Sequence, residues 1–389
     1  MKAGWEEVAL GEVATITNGG TPKSKIEAYW GGSVPWITPK DMGQLENPFV
    51  STTSRTITME GLNNSSAKLV SEKSVILSTR APIGHLAINE VPMAFNQGCR
   101  GITPGDRLDY SYLFYVLDGS REELNARGSG TTFKELSATN LKSLPIPLPP
   151  LEEQKRIVAV LDAAFAKLDR ARANVEANLA DAEELYASCL DGIVDGLREG
   201  HRVAITEVCA FKGGSQPPKK NFSKTPRKGF VRLLQIRDYE TDEKAIYVDR
   251  NLVTKFCEKD DVMIGRYGAS VGKILTGKEG AYNVALVRTI PDTQKLSKPF
   301  LFHYLQSRYF QSRLHSKSER GAQNGFNKGD LSQINVPLLP LDQQQTVADT
   351  MSTARIKSNT LSEKCEAQLA DLEALRQSLL QRAFAGELT

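Results

Sequence analysis

One stretch of this chain occurs twice, 190 residues apart. Leu136-Ser-Ala-Thr-Asn-Leu141 returns as Phe326-Asn-Lys-Gly-Asp-Leu331, and Pro147-Leu-Pro-Pro-Leu-Glu-Glu-Gln154 returns as Pro337-Leu-Leu-Pro-Leu-Asp-Gln-Gln344. The same offset holds at Leu185/Leu375, Leu190/Leu380 and Gly196/Gly386, roughly 60 residues of unbroken register. Two copies of one unit predict a pseudo-two-fold molecule, suited to a target that itself has two halves. At 389 residues the chain exceeds what one hydrophobic core organises, so several domains are expected in any case.

Around the repeat, the order reads as globular segment, long helix, globular segment, long helix. Residues 1–150 alternate short apolar runs, such as Val13-Ala-Thr-Ile16, Val34-Pro-Trp-Ile37 and Ser74-Val-Ile-Leu77, with turn signals such as Asn18-Gly-Gly20 and Thr103-Pro-Gly105, a β-rich pattern. A helix is expected over Tyr110–Asn125, and a second near Ser137, which is placed to cap it. In the second segment Ile205–Ala210 echoes the first strand, Gly213-Gly214 echoes Gly19-Gly20, and Pro299–Arg313 echoes the Tyr110 helix. Outside the strict core the offset drifts, as it does when surface loops differ in length.

Each Pro-rich cluster leads into a long helical pattern, Leu151–Val194 and Val347–Leu379. Apolar or small residues recur in alternating steps of three and four: Ile157, Leu161, Ala164, Leu168, Ala171, Val175, Ala182, Leu185 and Cys189, then Val347, Met351, Ala354, Leu361, Cys365, Leu372, Leu375 and Leu379. That is the seam of a coiled coil, broken by Asn178, Ser358 and Gln368. Neither helix would stand alone in water, so each is expected to pack antiparallel on the other. A helix of about 44 residues spans roughly 65 Å, a rigid spacer between globular domains. Prolines 147, 149 and 150, with 337 and 340, stop the preceding strand and set the start of the helix.

Charge is unevenly spread. Residues 1–150 carry a net −1 and 151–200 carry −5, whereas 201–340 carry +11 and 341–389 carry −2. An excess of +11 over 140 residues is the footprint a polyanion leaves, although solvated surface charge has the same composition. No apolar run is long enough to cross a bilayer, and the start of the chain turns acidic before a signal-peptide core forms. Five dispersed cysteines without a CxxC pair point to reduced thiols and a cytoplasmic protein.

The sequence offers almost nothing catalytic. Gly268-Ala-Ser-Val-Gly-Lys273 has one residue too few for a phosphate-binding loop, and Ile274 stands where its metal-binding hydroxyl belongs. The four histidines lack ligand spacing; His303 and His315 lie on or near a helix and are read as partly exposed rather than catalytic. A stand-alone DNA methyltransferase needs an Asn/Asp-Pro-Pro-aromatic motif, but Pro149-Pro150 and Pro217-Pro218 are followed by Leu151 and Lys219.

The segment Leu144-Pro-Ile-Pro-Leu-Pro-Pro-Leu-Glu-Glu-Gln-Lys-Arg-Ile157 resembles the conserved region of type I restriction–modification specificity (S) subunits. The start Trp5-Glu-Glu-Val-Ala-Leu-Gly-Glu-Val-Ala14, the terminal Leu379-Leu-Gln-Arg-Ala-Phe-Ala-Gly-Glu-Leu388, Asn96-Gln-Gly98, and the loops from Arg80 to Gly84 and from Arg266 to Gly272 are similar to other motifs of that family. The match runs over essentially the whole chain. It departs in loop length after Arg80 and in the Val284 that follows Asn283.

The resemblance implies an α+β fold: two target recognition domains, residues 1–150 and 201–340, joined by helical spacers, 151–200 and 341–389, that pack as an antiparallel coiled coil. It implies a non-catalytic subunit that binds a bipartite, asymmetric site on double-stranded DNA. Two methyltransferase subunits would dock on it and supply the AdoMet site, and a restriction/translocase subunit would use ATP and Mg; no cofactor and no membrane are expected for the chain itself. A coiled-coil adaptor that never binds DNA is the alternative. Loop positions near strand ends nominate the DNA contacts: Lys23, Lys25, Lys40 and Arg80 in the first domain, and Lys219, Lys220, Arg237, Arg266, Tyr267 and Lys273 in the second. For any one lysine, plain solvated surface is the competing reading. For Arg80 and Arg266 it is a brace within the domain's own loop.

Overall fold

The structure is a computed structural model that describes residues 2, 4–80, 82–130, 134–197, 200–318 and 325–388. Ala81, in the loop after Arg80, lies outside the described residues. The chain forms two compact units, Met1–Val175 with Gln368–Thr389, and Glu176–Ala367. Each of the two long helices, Leu151–Gly196 and Leu341–Phe384, therefore gives one half to each unit.

In the first unit the strands are Glu6–Ala9 (β1), Ala14–Asn18 (β2), Trp30–Ile37 (β3), Phe49–Val50 (β4), Thr56–Ile57 (β5), Leu69–Val70 (β6), Val75–Thr79 (β7), Ile83–Asn89 (β8), Met93–Phe95 (β9), Cys99–Pro104 (β10) and Pro145–Leu148 (β11). They build a five-stranded sheet in the order β2-β10-β7-β8-β4, a four-stranded sheet β5-β3-β9-β6, and the pair β1-β11. In the second unit the strands are Arg202–Ala204 (β12), Cys209–Gly213 (β13), Phe230–Leu234 (β14), Tyr247–Asp249 (β15), Phe256–Cys257 (β16), Met263–Gly265 (β17), Ile274–Leu275 (β18), Gly280–Tyr282 (β19), Leu286–Pro291 (β20) and Asn335–Pro337 (β21). Their sheets run β13-β20-β17-β18, β15-β14-β19-β16 and β12-β21. Strand for strand this is the first unit again, with β4 left out. Even the single parallel pair of the β5-β3-β9-β6 sheet, Trp36↔Ala94, recurs in the β15-β14-β19-β16 sheet as Leu233↔Ala281.

The Pro-rich clusters are strands as well as stops. Pro145 and Pro147 lie within β11, tolerated because that strand pairs on one side only, with β1. Pro149 and Pro150 then end it, and the Pro150 carbonyl accepts the first helical hydrogen bonds from Glu153 and Gln154 at 2.8 and 3.0 Å. The repeated glutamine explains why this sequence is kept twice. Gln154 is fully buried; its Oε1 accepts from the Asp109 backbone N–H at 2.8 Å, and its Nε2 donates to the Arg107 and Pro149 carbonyls. Gln344 repeats the arrangement with Ser297, Lys295 and Leu339. One amide thus ties the long helix to the start of a short one.

Those short helices are each broken, where the periodicity suggested continuity. Tyr110–Gly119 ends at Ser120 and resumes as Arg121–Ala126, because Ser120 leaves helical geometry and its hydroxyl bonds back to the Val116 carbonyl. In the second unit Lys298–Tyr304 and Arg308–Ser318 are separated by a turn at Ser307. Ser137 does cap its helix, accepting from the Asn140 N–H at 3.1 Å.

Within each unit the helix halves run antiparallel. In the first, Phe165 meets Arg376, and Leu168 and Arg172 face Leu369 and Leu372. In the second, Ala182 meets Ser358 and Tyr186 meets Arg355. The seam departs from the pattern in its later parts. Leu185, Cys189, Leu361 and Leu375 are exposed, while Leu179, Tyr186, Leu190, Leu369 and Leu380 turn inward. A helix of 3.6 residues per turn drifts against a strict seven-residue repeat, so the buried face moves by about one residue. Asn178 and Gln368 are therefore exposed and do not break the seam. Ser358 is buried in it, its hydroxyl donating to the Ala182 carbonyl at 2.6 Å. The core residues Ile157, Leu161, Phe165, Leu380 and Ala383 join the β2–β10 sheet and the Tyr110 helix in one cluster, and Tyr186, Leu190, Val194 and Met351 do the same in the second unit.

Candidate nucleic-acid interface

Each unit carries one tightly built turn between its two sheets, at Asn96–Gly98 and Asn283–Ala285. The asparagine side chain holds it, accepting from the Gly98 N–H at 2.8 Å in one unit and from the Ala285 N–H at 3.1 Å in the other. The asparagine N–H in turn donates to the last carbonyl of the neighbouring strand, Ile37 or Leu234, at 3.0 Å in both. A glycine lies against the turn: a Cβ on Gly19 would come within 2.0 Å of the Asn96 carbonyl oxygen, and one on Gly214 within 2.1 Å of that of Asn283. The equivalent of Gly19 is therefore Gly214, and Ser215 takes the place of Gly20. Both second residues donate their N–H groups to the last β9 or β19 carbonyl, Phe95 or Tyr282. The pairing of Gly213-Gly214 with Gly19-Gly20 was one residue out.

Beside this turn, β3 and β14 each end in one helical turn with a reciprocal cap. The Thr38 N–H donates to Asp41 at 2.9 Å, and the Gln235 N–H to Asp238 at 2.6 Å. Burial alone would raise the Asp41 carboxyl, but hydrogen bonds from Ser54 and Thr38 outweigh it and hold it below its ordinary value. These caps place Lys40 and Arg237 at the same position of the two turns, both exposed.

Other nominated residues lie on loops of the same two units. In the first unit the Trp36 indole donates to the Gly20 carbonyl at 3.0 Å, and Trp30 packs edge-on to Trp36 and donates to the Lys23 carbonyl. Arg80 packs beside Gly98, where an added Cβ would come within 3.2 Å of its Nε. Lys25 is exposed in the same loop as Lys23. Sequence reasoning missed Arg55, whose guanidinium stacks 3.6 Å over Trp30 and whose neighbour Ser54 hydrogen-bonds Asp41. No run or motif marks it; only the fold of the two tryptophans does. It also missed the turn tip Gln97, whose side chain pairs with the Thr21 hydroxyl.

In the second unit Arg237 and Lys273 line one shallow depression with Gln235, Glu240, Ser270, Asn283 and Ala285. Lys273 pairs with Glu240 and lowers that carboxyl below its usual range. Lys219 and Lys220 stand exposed on a short turn in the loop equivalent to that of Lys23. Arg266 braces its own unit: its Nε donates to the Phe326 carbonyl at 3.3 Å, and its guanidinium sits 5.0 Å over the Tyr267 ring. The strand register makes it the partner of Thr79 rather than of Arg80, since Thr79 and Arg266 donate to equivalent carbonyls, Gly98 and Ala285. Arg80 corresponds to Tyr267, and both form an isolated bridge to the segment that leads to the next short helix, at Glu135 and Gly325.

The remaining features are structural. Gly268–Ser270 is a single 3₁₀ turn, so no helix follows to complete a phosphate-binding loop. His303 is not partly exposed but 3% accessible: it bonds the Tyr186 hydroxyl at 2.8 Å and Ser352 at 3.0 Å, and burial with the nearby Arg355 charge lowers its pKa to about 4. All five cysteines are free thiols. Among the described residues no group of three His, Cys, Asp or Glu could hold a metal, and no helix is long and apolar enough to cross a membrane.

Comparison with known proteins agrees with this architecture. The family model described as the type I restriction modification DNA specificity domain matches residues 2–177 and again 200–370. The specificity subunit of the type I restriction enzyme EcoBI of Escherichia coli is 23% identical, over 99% of this chain and 86% of its own length. The MjaIX specificity subunit of Methanocaldococcus jannaschii is 38% identical over 40% of this chain, a match that spans only 37% of that subunit. A solved structure from work on complex assembly and conformational transition of the type I R-M system superposes with a TM-score of 0.82 at 22% identity, covering 100% of this chain and 99% of that one. The HsdS subunit of Thermoanaerobacter tengcongensis gives 0.59 at 21% identity, covering 100% and 98%. With the specificity domain matched twice over most of its length, the chain belongs to the family of type I restriction–modification specificity subunits.

Proposed function

We propose that this chain is the non-catalytic subunit that gives a type I restriction–modification complex its DNA sequence specificity. Residues 1–150 and 201–340 each read one half of a bipartite, asymmetric site on double-stranded DNA. One observation carries the reading: the two units share a frame down to single hydrogen bonds, yet differ at exposed and half-buried positions of that frame. Lys40 and Arg237 keep a positive charge at one shared place, as a contact to phosphate requires. Arg80 against Tyr267, and Gln97 against Val284, differ in chemistry, as the reading of two different half-sites requires.

The long helices dock the methyltransferase subunits. Leu185 and Leu375 occupy equivalent positions and are both left out of the seam, 52% and 48% exposed. Two identical apolar positions in a repeat suit two copies of one partner. AdoMet, ATP and Mg would then belong to the methyltransferase and translocase subunits, in keeping with a chain that offers no motif for them.

Methylome sequencing of cells that carry the complex tests the proposal. Two short methylated half-sites separated by a fixed gap are expected; a single continuous motif would overturn it. Replacing Lys40 or Arg237 by Ala should weaken DNA binding for every sequence alike and lower the slope of log K against log salt by about one. A chain whose partner-bound complex shows no salt-dependent DNA binding would be an adaptor instead.

A further inference from the structure

We propose that Val284 is a base-reading residue, and that the group it reads is the 5-methyl of thymine. The inference rests on the DNA-binding reading above. It starts from an anomaly of construction. The Asn283–Ala285 turn is held by hydrogen bonds from both neighbouring strands, and its asparagine is buried. Gly214 packs so closely on it that no side chain fits between them. This rigid turn nevertheless presents an aliphatic side chain, 39% exposed, at its tip. The turn's other two residues line a depression with Arg237, Lys273 and Gln235.

An exposed valine on a turn that adjoins Arg237 and the Lys273–Glu240 ion pair gains nothing from water or from these polar neighbours. It gains where an apolar group is delivered by an otherwise anionic ligand. Of the groups a DNA duplex displays at its base edges, the 5-methyl of thymine is the apolar one. The equivalent tip in the first unit is Gln97, which is polar and paired with Thr21. The same turn therefore presents a hydrogen-bonding reader in one unit and an aliphatic reader in the other. Val284 contributes nothing to the packed clusters of its unit, so its replacement leaves the fold intact.

The test is selection by the complex of the full chain with its methyltransferase subunits, the chain being wild type, Val284→Ala or Val284→Gln, against a random pool of double-stranded DNA, with thermal unfolding of each chain as the control for folding. Wild type should select thymine at one position of one half-site, and deoxyuridine in its place should weaken binding about fivefold, the effect of one buried methyl. Val284→Ala should lose most of that preference. Val284→Gln should change the selected base at that position and leave the other half-site as it was. An unchanged selected motif in Val284→Gln, or full tolerance of deoxyuridine at every thymine, would overturn the assignment. If the complex with the wild-type chain enriches no duplex at all, the DNA-binding reading itself falls and the assignment with it.

Discussion

Arg376 places its guanidinium 3.9 Å over the ring of Phe165, and in the second unit Arg355 lies 4.6 Å over the ring of Tyr186. Under the 190-residue repeat Phe165 corresponds to Arg355 and Arg376 to Tyr186. The contact between the helices is thus conserved with its residues exchanged. A cation and a ring attract whichever helix supplies which, so the pair can invert while the spacing stays the same. Its surroundings differ. Arg376 also reaches the buried carboxylate of Asp118 at 3.5 Å, which Arg121 holds at 2.6 Å.

Loss of Arg376 should therefore cost more than loss of Arg355. Arg376→Ala removes a stacking contact and one of two partners of a buried carboxylate, an expected loss of about 2–3 kcal/mol. Arg355→Ala removes the stacking contact and an exposed hydrogen bond to the Gln306 side chain, but no buried ion pair, about 1 kcal/mol. Hydrogen exchange resolved by peptide reads each unit separately, and the double variant should be additive, because the two sites lie in separate units.

Gln154 and Gln344 should behave alike. Replacement of either by Leu takes the partner from one backbone N–H and two backbone carbonyls, most of them part-buried, and should destabilise its own unit by about 1–3 kcal/mol in urea unfolding. A loss below about 1 kcal/mol would mean that solvent reaches these groups.

Two glycine substitutions should have opposite outcomes. Gly214→Ala drives a methyl into the Asn283 carbonyl, so the turn must move; destabilisation above about 2 kcal/mol is expected, together with loss of specificity for one half-site only. Gly192→Ala, inside the first long helix with nothing within 4 Å of its added methyl, should stabilise by roughly 0.5–1 kcal/mol. Thermal unfolding of the pair checks both.

The second unit should weaken in mild acid. An ordinary histidine takes up its proton near 6.5, whereas His303 stays neutral in the folded chain down to about 4. The unfolded chain is protonated first, so stability is lost as pH falls from 6.5 towards 4, on the order of 2–3 kcal/mol in all. His303→Gln should flatten that part of the curve, and an unchanged pH profile in the variant would assign the acid sensitivity elsewhere.

The frame of the molecule was legible in the sequence because it is written twice. The two β-rich segments, the helix starts at the prolines and the cap at Ser137 all follow from turn chemistry and periodicity. What the sequence hid was register. Gly213-Gly214 looked like the match for Gly19-Gly20, and Arg266 like the match for Arg80, but both are displaced by one residue. Identity was the guide there, whereas the backbone aligns hydrogen bonds. His303 was hidden for another reason: only the two helices packed against it reveal that a polar ring sits in the core. Arg55 could be found only once Trp30 and Trp36 had folded together.

The division of the chain into units has a consequence for how it is made. The second unit is contiguous, Glu176–Ala367, whereas the first needs residues from Gln368 onward to close its helix pair. During synthesis the second unit can finish while the earlier half-helix, Leu151–Val175, still lacks the partner that lays Arg376 over Phe165 and adds Leu380 and Ala383 to the core. The order of completion is the reverse of the order of translation. The unit that starts first stays the more aggregation-prone until the ribosome has passed Phe384.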